Sequence, residues 1–91
     1  MKIIAVCGMG IGTSILLKMN TDKACERLGI DAEVDAADIG TAKGAASTAD
    51  LVLTSEELAS ELEGLSVPVR VIDNFMDVDE IEAAIASAIE E

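Results

Sequence analysis

The chain has no histidine, tryptophan or tyrosine, one phenylalanine (Phe75), one proline (Pro68) and two cysteines, Cys7 and Cys25. Without histidine it lacks the commonest general base and the commonest zinc ligand, and the sequence predicts neither a metal site nor a bound cofactor. A single aromatic ring is too little surface on which to stack bases or sugars. Basic residues are also scarce: six Lys and Arg stand against eighteen Asp and Glu, a net charge of −12. That balance argues against nucleic acid or an anionic membrane as partner, because both are bound through Lys and Arg. Two cysteines do not make a disulfide scaffold, and Lys2-Ile3-Ile4-Ala5-Val6 is too short for an export signal. No apolar run spans a bilayer, and the chain reads as cytoplasmic, with reduced thiols.

Aliphatic residues fill the place of the aromatics. The chain is 51% hydrophobic, and its 91 residues are expected to form one domain, 1–91. Charge is unevenly distributed. Residues 1–30 carry Lys2, Lys18, Lys23 and Arg27 against Asp22 and Glu26, whereas the rest carries sixteen acids against Lys43 and Arg70. An anionic ligand is therefore expected at the first thirty residues.

Ile3-Ile4-Ala5-Val6 is a continuous apolar run, the mark of a strand buried on both faces. Helical periodicity follows from 13 to about 28, with Gly29 as its stop. Ala32, Val34 and Ala36 alternate with Glu33 and Asp35 as in an edge strand. The small residues from 40 to 48 predict a short helix. Leu51-Val52-Leu53 reads as a second buried strand, and Thr54 with Glu57 as a capping box for a helix to about 63. Val69 to Ile72 reads as the last strand, and Asp77 with Glu80 caps a final helix with Ile81, Ile85, Ala88 and Ile89 on one face. Four alternations of strand and helix, joined by connections too long for hairpins, predict a three-layer α/β sandwich with a four-stranded parallel sheet, order 2-1-3-4. Such sheets bind ligands at the carboxyl ends of their strands.

Cys7 stands at that edge, at the head of Cys7-Gly8-Met9-Gly10-Ile11-Gly12-Thr13-Ser14. The spacing fails the dinucleotide fingerprint, whose third glycine would fall at Thr13, and lacks the Gly-Lys-Ser/Thr of a nucleotide P-loop. Alternate glycines before a helix instead predict a cup of backbone N–H groups with the helix dipole behind it, shaped for a tetrahedral anion. The same field favours a thiolate at Cys7, which makes covalent phosphoryl chemistry the expected activity.

Cys7, five residues, then Thr13-Ser14 resembles the phosphate loop of low-molecular-weight tyrosine phosphatases, with Thr13 where those enzymes have arginine. Without that guanidinium the loop suits holding a phosphoryl better than hydrolysing it. The stretch from Ala5 to Met19, with A-D-L-V-L-T-S and V-I-D-N-F-M later, resembles the IIB components of the bacterial sugar phosphotransferase system (PTS), in the ascorbate-type branch. The lactose/cellobiose and galactitol branches are wider relatives. The resemblance implies that Cys7 accepts phosphate from a phosphohistidine on a IIA partner. It implies further that the phosphoryl passes to a sugar, L-ascorbate, held by a membrane IIC permease, with IIC bringing the chain transiently to the inner face of the membrane. Two alternatives stay open: a small cysteine phosphatase, and a IIB-like regulatory module, which a neighbouring regulator gene would favour over a neighbouring permease gene.

Further residues flank the loop. Ile15, Leu16 and Met19 lie off the helix face that packs on the sheet, next to Met9 and Ile11, and are read as an apolar collar on which IIA and IIC dock in turn. Lys18 is either a charge for the site or a solvated lysine. Asp73 and Asn74 either shape the loop or end the last strand. Cys25, beside Leu17, Thr21, Ala24 and Leu28, is expected in the core.

Overall fold

The computed structural model describes residues 1–6 and 11–90; of residues 11–14 and 90 it describes the backbone only. The elements run β1 (Lys2–Val6), α1 (Ile11–Leu28), β2 (Glu33–Ala37), α2 (Ile39–Ala46), β3 (Leu51–Thr54), α3 (Glu56–Ala59), a 3₁₀ turn (Ser60–Leu62), β4 (Val69–Val71) and α4 (Val78–Glu90). All strand pairs are parallel and the sheet order is β2-β1-β3-β4, as the alternation predicts.

The apolar run of β1 is explained by the two layers it serves. Ile3 and Ala5 pack with Leu17, Ala24, Cys25, Leu51, Leu53, Ile72, Ile81 and Ile85 on the side of α1 and α4. Ile4 and Val6 pack with Ala42, Ala46, Val52 and Leu62 on the side of α2 and α3. Alternate side chains of a strand point to opposite faces, so a central strand must be apolar at every position. The edge strand β2 buries only Val34 among its five residues.

Helix ends follow local chemistry. Gly29 takes φ +70 beyond α1, and the next two N–H groups, of Gly29 and Ile30, bond back to Glu26 and Cys25. Asp38 caps α2 by accepting from the Thr41 N–H at 2.8 Å. Bonds from the Thr41 backbone, then from its hydroxyl, hold the Asp38 carboxyl below the usual carboxylate range. A depressed pKa means that the cap's contribution is present above the ordinary carboxylate pKa and lost as pH falls through the folded one.

The predicted capping box at Thr54 is not formed. Thr54 closes β3, and the residue at the α3 N-cap is Ser55, whose side chain makes no capping bond. The strand runs that far because Thr54 O accepts from Ile72 N at 2.8 Å, a long-range pairing with no local signature. At the far end of α4, Ile81 and Ile85 are fully buried as expected, but Ile89 is 46% exposed.

Candidate functional site

The sheet brings its functional edge together at the ends of β1 and β3. β1 finishes at Val6 and α1 starts at Ile11, so the head of the predicted phosphate loop, 7–10, falls between a buried central strand and a helix start, and its remainder, 11–14, falls in the helix. Cys7, Gly8, Met9 and Gly10 lie outside the described residues. Ile11, Gly12, Thr13 and Ser14 form the first turn of α1, two residues earlier than periodicity suggested. That turn contains no acid, and Arg27 occupies the last turn. The positive end of the helix dipole is thus uncompensated where an anion is expected, and the negative end is matched.

Beyond α1, the segment 73–77 is tied down from three sides. The Asn20 amide donates to Phe75 O at 2.6 Å from a buried position on α1. Glu80 accepts from Asp73 N at 2.7 Å and from Asn74 N at 3.0 Å with its two carboxylate oxygens. Asn74 Oδ1 accepts from Met76 N at 3.0 Å, and Asp77 Oδ1 caps α4 by accepting from Glu80 N. The Asn74 side chain therefore does turn chemistry, and Asp73 contributes its backbone N–H. Glu80 does not close the capping box of Asp77; it holds the preceding turn instead. Asn20 was not singled out in the sequence, although its position three residues after Leu17 on the packing face signals a buried amide that needs a partner.

Of the residues read as a collar, Met9 and the Ile11 side chain lie outside what the structure describes. Ile15 and Met19 are 47% and 52% exposed and Leu16 is half-buried. Met76, two residues before α4 begins, is exposed at 65%. Lys18 Nζ, about two turns from the start of α1, pairs with Asp22 at 3.2 Å, and both side chains are partly exposed.

Cys25 is 4% exposed. Burial raises its thiol pKa, and the Asp22 carboxylate pushes it the same way. A protonated, covered thiol is inert. We expect Cys25 to resist iodoacetamide at pH 7 in the folded protein and to react once denaturant opens the core, read as the adduct on its peptide by mass spectrometry.

Similar folds carry phosphoryl chemistry on record. A lactose-specific IIB component domain of the phosphotransferase system from Streptococcus pneumoniae superposes with TM-score 0.68 at 14% identity, covering 99% of this chain and 95% of that one. A YwlE arginine phosphatase, a cysteine-to-serine mutant with a phosphorylated active-site serine, superposes with TM-score 0.57 at 16% identity, covering 99% and 90%. The architecture is therefore one shared by a IIB component and a phosphatase. Sequence then places this chain: residues 2–87 match the family described as PTS system, lactose/cellobiose specific IIB subunit, and the chain belongs to that family. It is 36% identical over 90 residues to the ascorbate-specific PTS system EIIB component of Mycoplasma pneumoniae, covering 98% of this chain and 95% of the relative. Against the protein of that name from Escherichia coli O157:H7 it is 36% identical over 61 residues, covering 67% of this chain and 60% of the relative.

Proposed function

We propose that the chain is the phosphoryl carrier of an ascorbate-type phosphotransferase system, with Cys7 as the phosphorylated residue. The observation that carries this reading is the likeness, over nearly its whole length, to an ascorbate-specific EIIB component. Support comes from the edge of the sheet, where β1 ends one residue before Cys7 and an acid-free helix start follows.

The Cys7 thiolate attacks the phosphorus of a phosphohistidine on IIA. The S–P bond forms as the P–N bond breaks, and the electron pair returns to the imidazole. Backbone N–H groups of Gly8, Met9, Gly10, Ile11 and Gly12, with the N–H groups and hydroxyls of Thr13 and Ser14, hold the phosphoryl oxygens. A hydroxyl oxygen of the sugar bound in IIC then attacks phosphorus and gives its proton to water; the O–P bond forms as the S–P bond breaks, and the electron pair returns to sulfur as the thiolate. This chain meets the sugar only through the phosphoryl, works on the cytoplasmic side, and reaches the membrane through IIC. Among its described residues no helix is long and apolar enough to cross a bilayer.

The test is incubation with phosphoenolpyruvate, the general phosphotransferase proteins and a IIA donor, followed by intact mass and by transfer to ascorbate in IIC-containing vesicles. One added phosphoryl is expected. Steady release of inorganic phosphate, with none delivered to sugar, would establish the phosphatase reading instead.

Met9, Ile11, Ile15, Leu16 and Met19 form the docking collar in this reading, and excluding water around the phosphoryl in flight protects it from hydrolysis. Met19→Glu is expected to raise the KM for phosphorylated IIA about tenfold, on the order of 1–2 kcal/mol for one interface anchor, with the melting temperature unchanged because Met19 is half exposed. Unchanged transfer kinetics would remove the collar from the mechanism.

A further inference from the structure

Among the described residues the large hydrophobic side chain that meets most water is Met76, 65% exposed, against 40–52% for Met1, Ile15, Met19, Val71 and Ile89. The backbone around it is fixed. Asn74 Oδ1 accepts from Met76 N at 3.0 Å, Asn74 O accepts from Asp77 N at 3.0 Å, and Glu80 holds Asp73 N and Asn74 N. On the inner side Phe75 packs against the core layer, and its carbonyl accepts from the buried Asn20 amide. Phe75 thus anchors the turn inward and leaves Met76 in water. A polar residue would serve the turn equally well, since turns favour Asn, Asp, Ser and Gly. A methionine held in water on a bonded turn gains little from folding, and a partner that covers it supplies the reason for it.

Charge says what kind of partner. Residues 71–91 hold seven acids and no base. Asp73 and Asp77 flank Met76 in the chain and are exposed, and the Asp73 carboxylate bonds to no described residue. An apolar tip between carboxylates fits an apolar pocket rimmed by Lys and Arg. Proteins that span a membrane carry an excess of Lys and Arg in their cytoplasmic loops, whereas an anionic lipid surface repels a chain of net charge −12. The Asn20 bond also seats the turn against α1, the helix of the collar, at the residue after Met19. Met76 therefore stands on the same side of the sheet as the collar, on a different element.

We propose that Met76 is a docking anchor for the permease and not for IIA: its side chain enters an apolar pocket on the cytoplasmic face of IIC, and Asp73 and Asp77 meet basic residues at the rim. This rests on the reading of the chain as a phosphoryl carrier. A carrier that visits two partners through one collar needs a contact that tells them apart, because a surface shared by both gives no preference between donor and acceptor. Met76 supplies that contact from a second element. The bonds to Asn20, Asn74 and Glu80 fix the turn before contact, so docking costs little ordering of the backbone. The flexible thioether adapts to the pocket it enters.

The experiment compares the whole chain with two variants: Met76→Gln, which keeps the length of the side chain and makes it polar, and Asp73→Asn, which removes a charge that no described residue uses. Each is loaded from phosphoenolpyruvate through the general proteins and IIA, then offered to vesicles carrying an ascorbate-specific IIC, at low and at high salt. Met76→Gln is expected to melt as the unsubstituted chain does and to load from IIA with an unchanged KM. Its KM for transfer to sugar is expected to rise about tenfold, the loss of one interface anchor. Asp73→Asn is expected to raise that KM about threefold at low salt and to leave it unchanged at high salt, where a rim charge is screened. Met19→Glu, in the shared collar, raises both KM values. An unchanged KM at IIC for Met76→Gln, or an equal rise at IIA, overturns the inference. So does binding of the chain to the same vesicles without IIC, or a self-association that Met76→Gln abolishes. In each of these cases the unsubstituted chain still loads and delivers its phosphoryl, whereas a chain that accepts none on Cys7 overturns the carrier reading itself.

Discussion

Cys7→Ala, mixed with phosphoenolpyruvate, the general phosphotransferase proteins and a IIA donor, is expected to gain no phosphoryl mass and to cut sugar phosphorylation at least about a thousandfold, as removal of a covalent nucleophile does. Alanine is the right replacement. A serine hydroxyl is itself a nucleophile for phosphorus, so Cys7→Ser would allow a dead-end phosphoester that mimics the normal adduct by mass. Alanine leaves no atom able to bond phosphorus, and the position follows the last residue of β1 in the chain. Unchanged melting with complete loss of the adduct would separate chemistry from folding. Phosphoryl mass on the Cys7→Ala chain would move the carrier residue elsewhere, and Cys25 is a poor heir because its thiol is covered and kept protonated.

The architecture was legible because it depends on patterns that repeat along the chain. Apolar runs at β1 and β3, helical periodicity between them and a glycine after α1 are local signals, and each agrees with the strand order of the finished sheet. What the sequence hid depends on pairing between distant segments. Thr54 looked like a helix cap because Glu57 follows at the right spacing; the pairing of β3 with β4 made it the end of a strand. Glu80 looked like the partner of Asp77, yet its carboxylate is taken by two N–H groups from the turn before the helix. Ile89 continues the apolar stripe of α4, yet it is 46% exposed. For the site, the glycine spacing and Cys7 are chemical signals carried by the residues themselves, whereas Asn20, which anchors the neighbouring turn, shows its role only when Phe75 arrives beside it.

Ile85 and Ile89 make the second large prediction, because they are the same residue one turn apart on α4 with opposite surroundings. Ile85 is fully buried against Leu17, Leu51 and Leu53 in the layer shared with α1, and Ile89 is 46% exposed. Apart from Phe75, which packs partly buried against its margin, that layer is held by aliphatic contacts of this size. Truncating a buried isoleucine to alanine costs about 2–5 kcal/mol through lost transfer energy and an unfilled cavity. A domain this small has only about 5–10 kcal/mol of stability in total, so Ile85→Ala brings unfolding close to physiological conditions. Ile89→Ala is expected to cost less than about 1 kcal/mol, because part of its side chain already faces water. Urea unfolding checks both: the Ile85→Ala midpoint falls steeply with the slope unchanged, while the Ile89→Ala midpoint stays near that of the unsubstituted chain. Phosphoryl acceptance per folded molecule is expected to match in the two variants, since neither side chain lies at the edge where β1 and β3 end. Equal midpoints for the two would mean that α4 does not seal this layer of the core, and the packing that holds α1 and its helix start against the sheet would have to come from β1 and β3 alone.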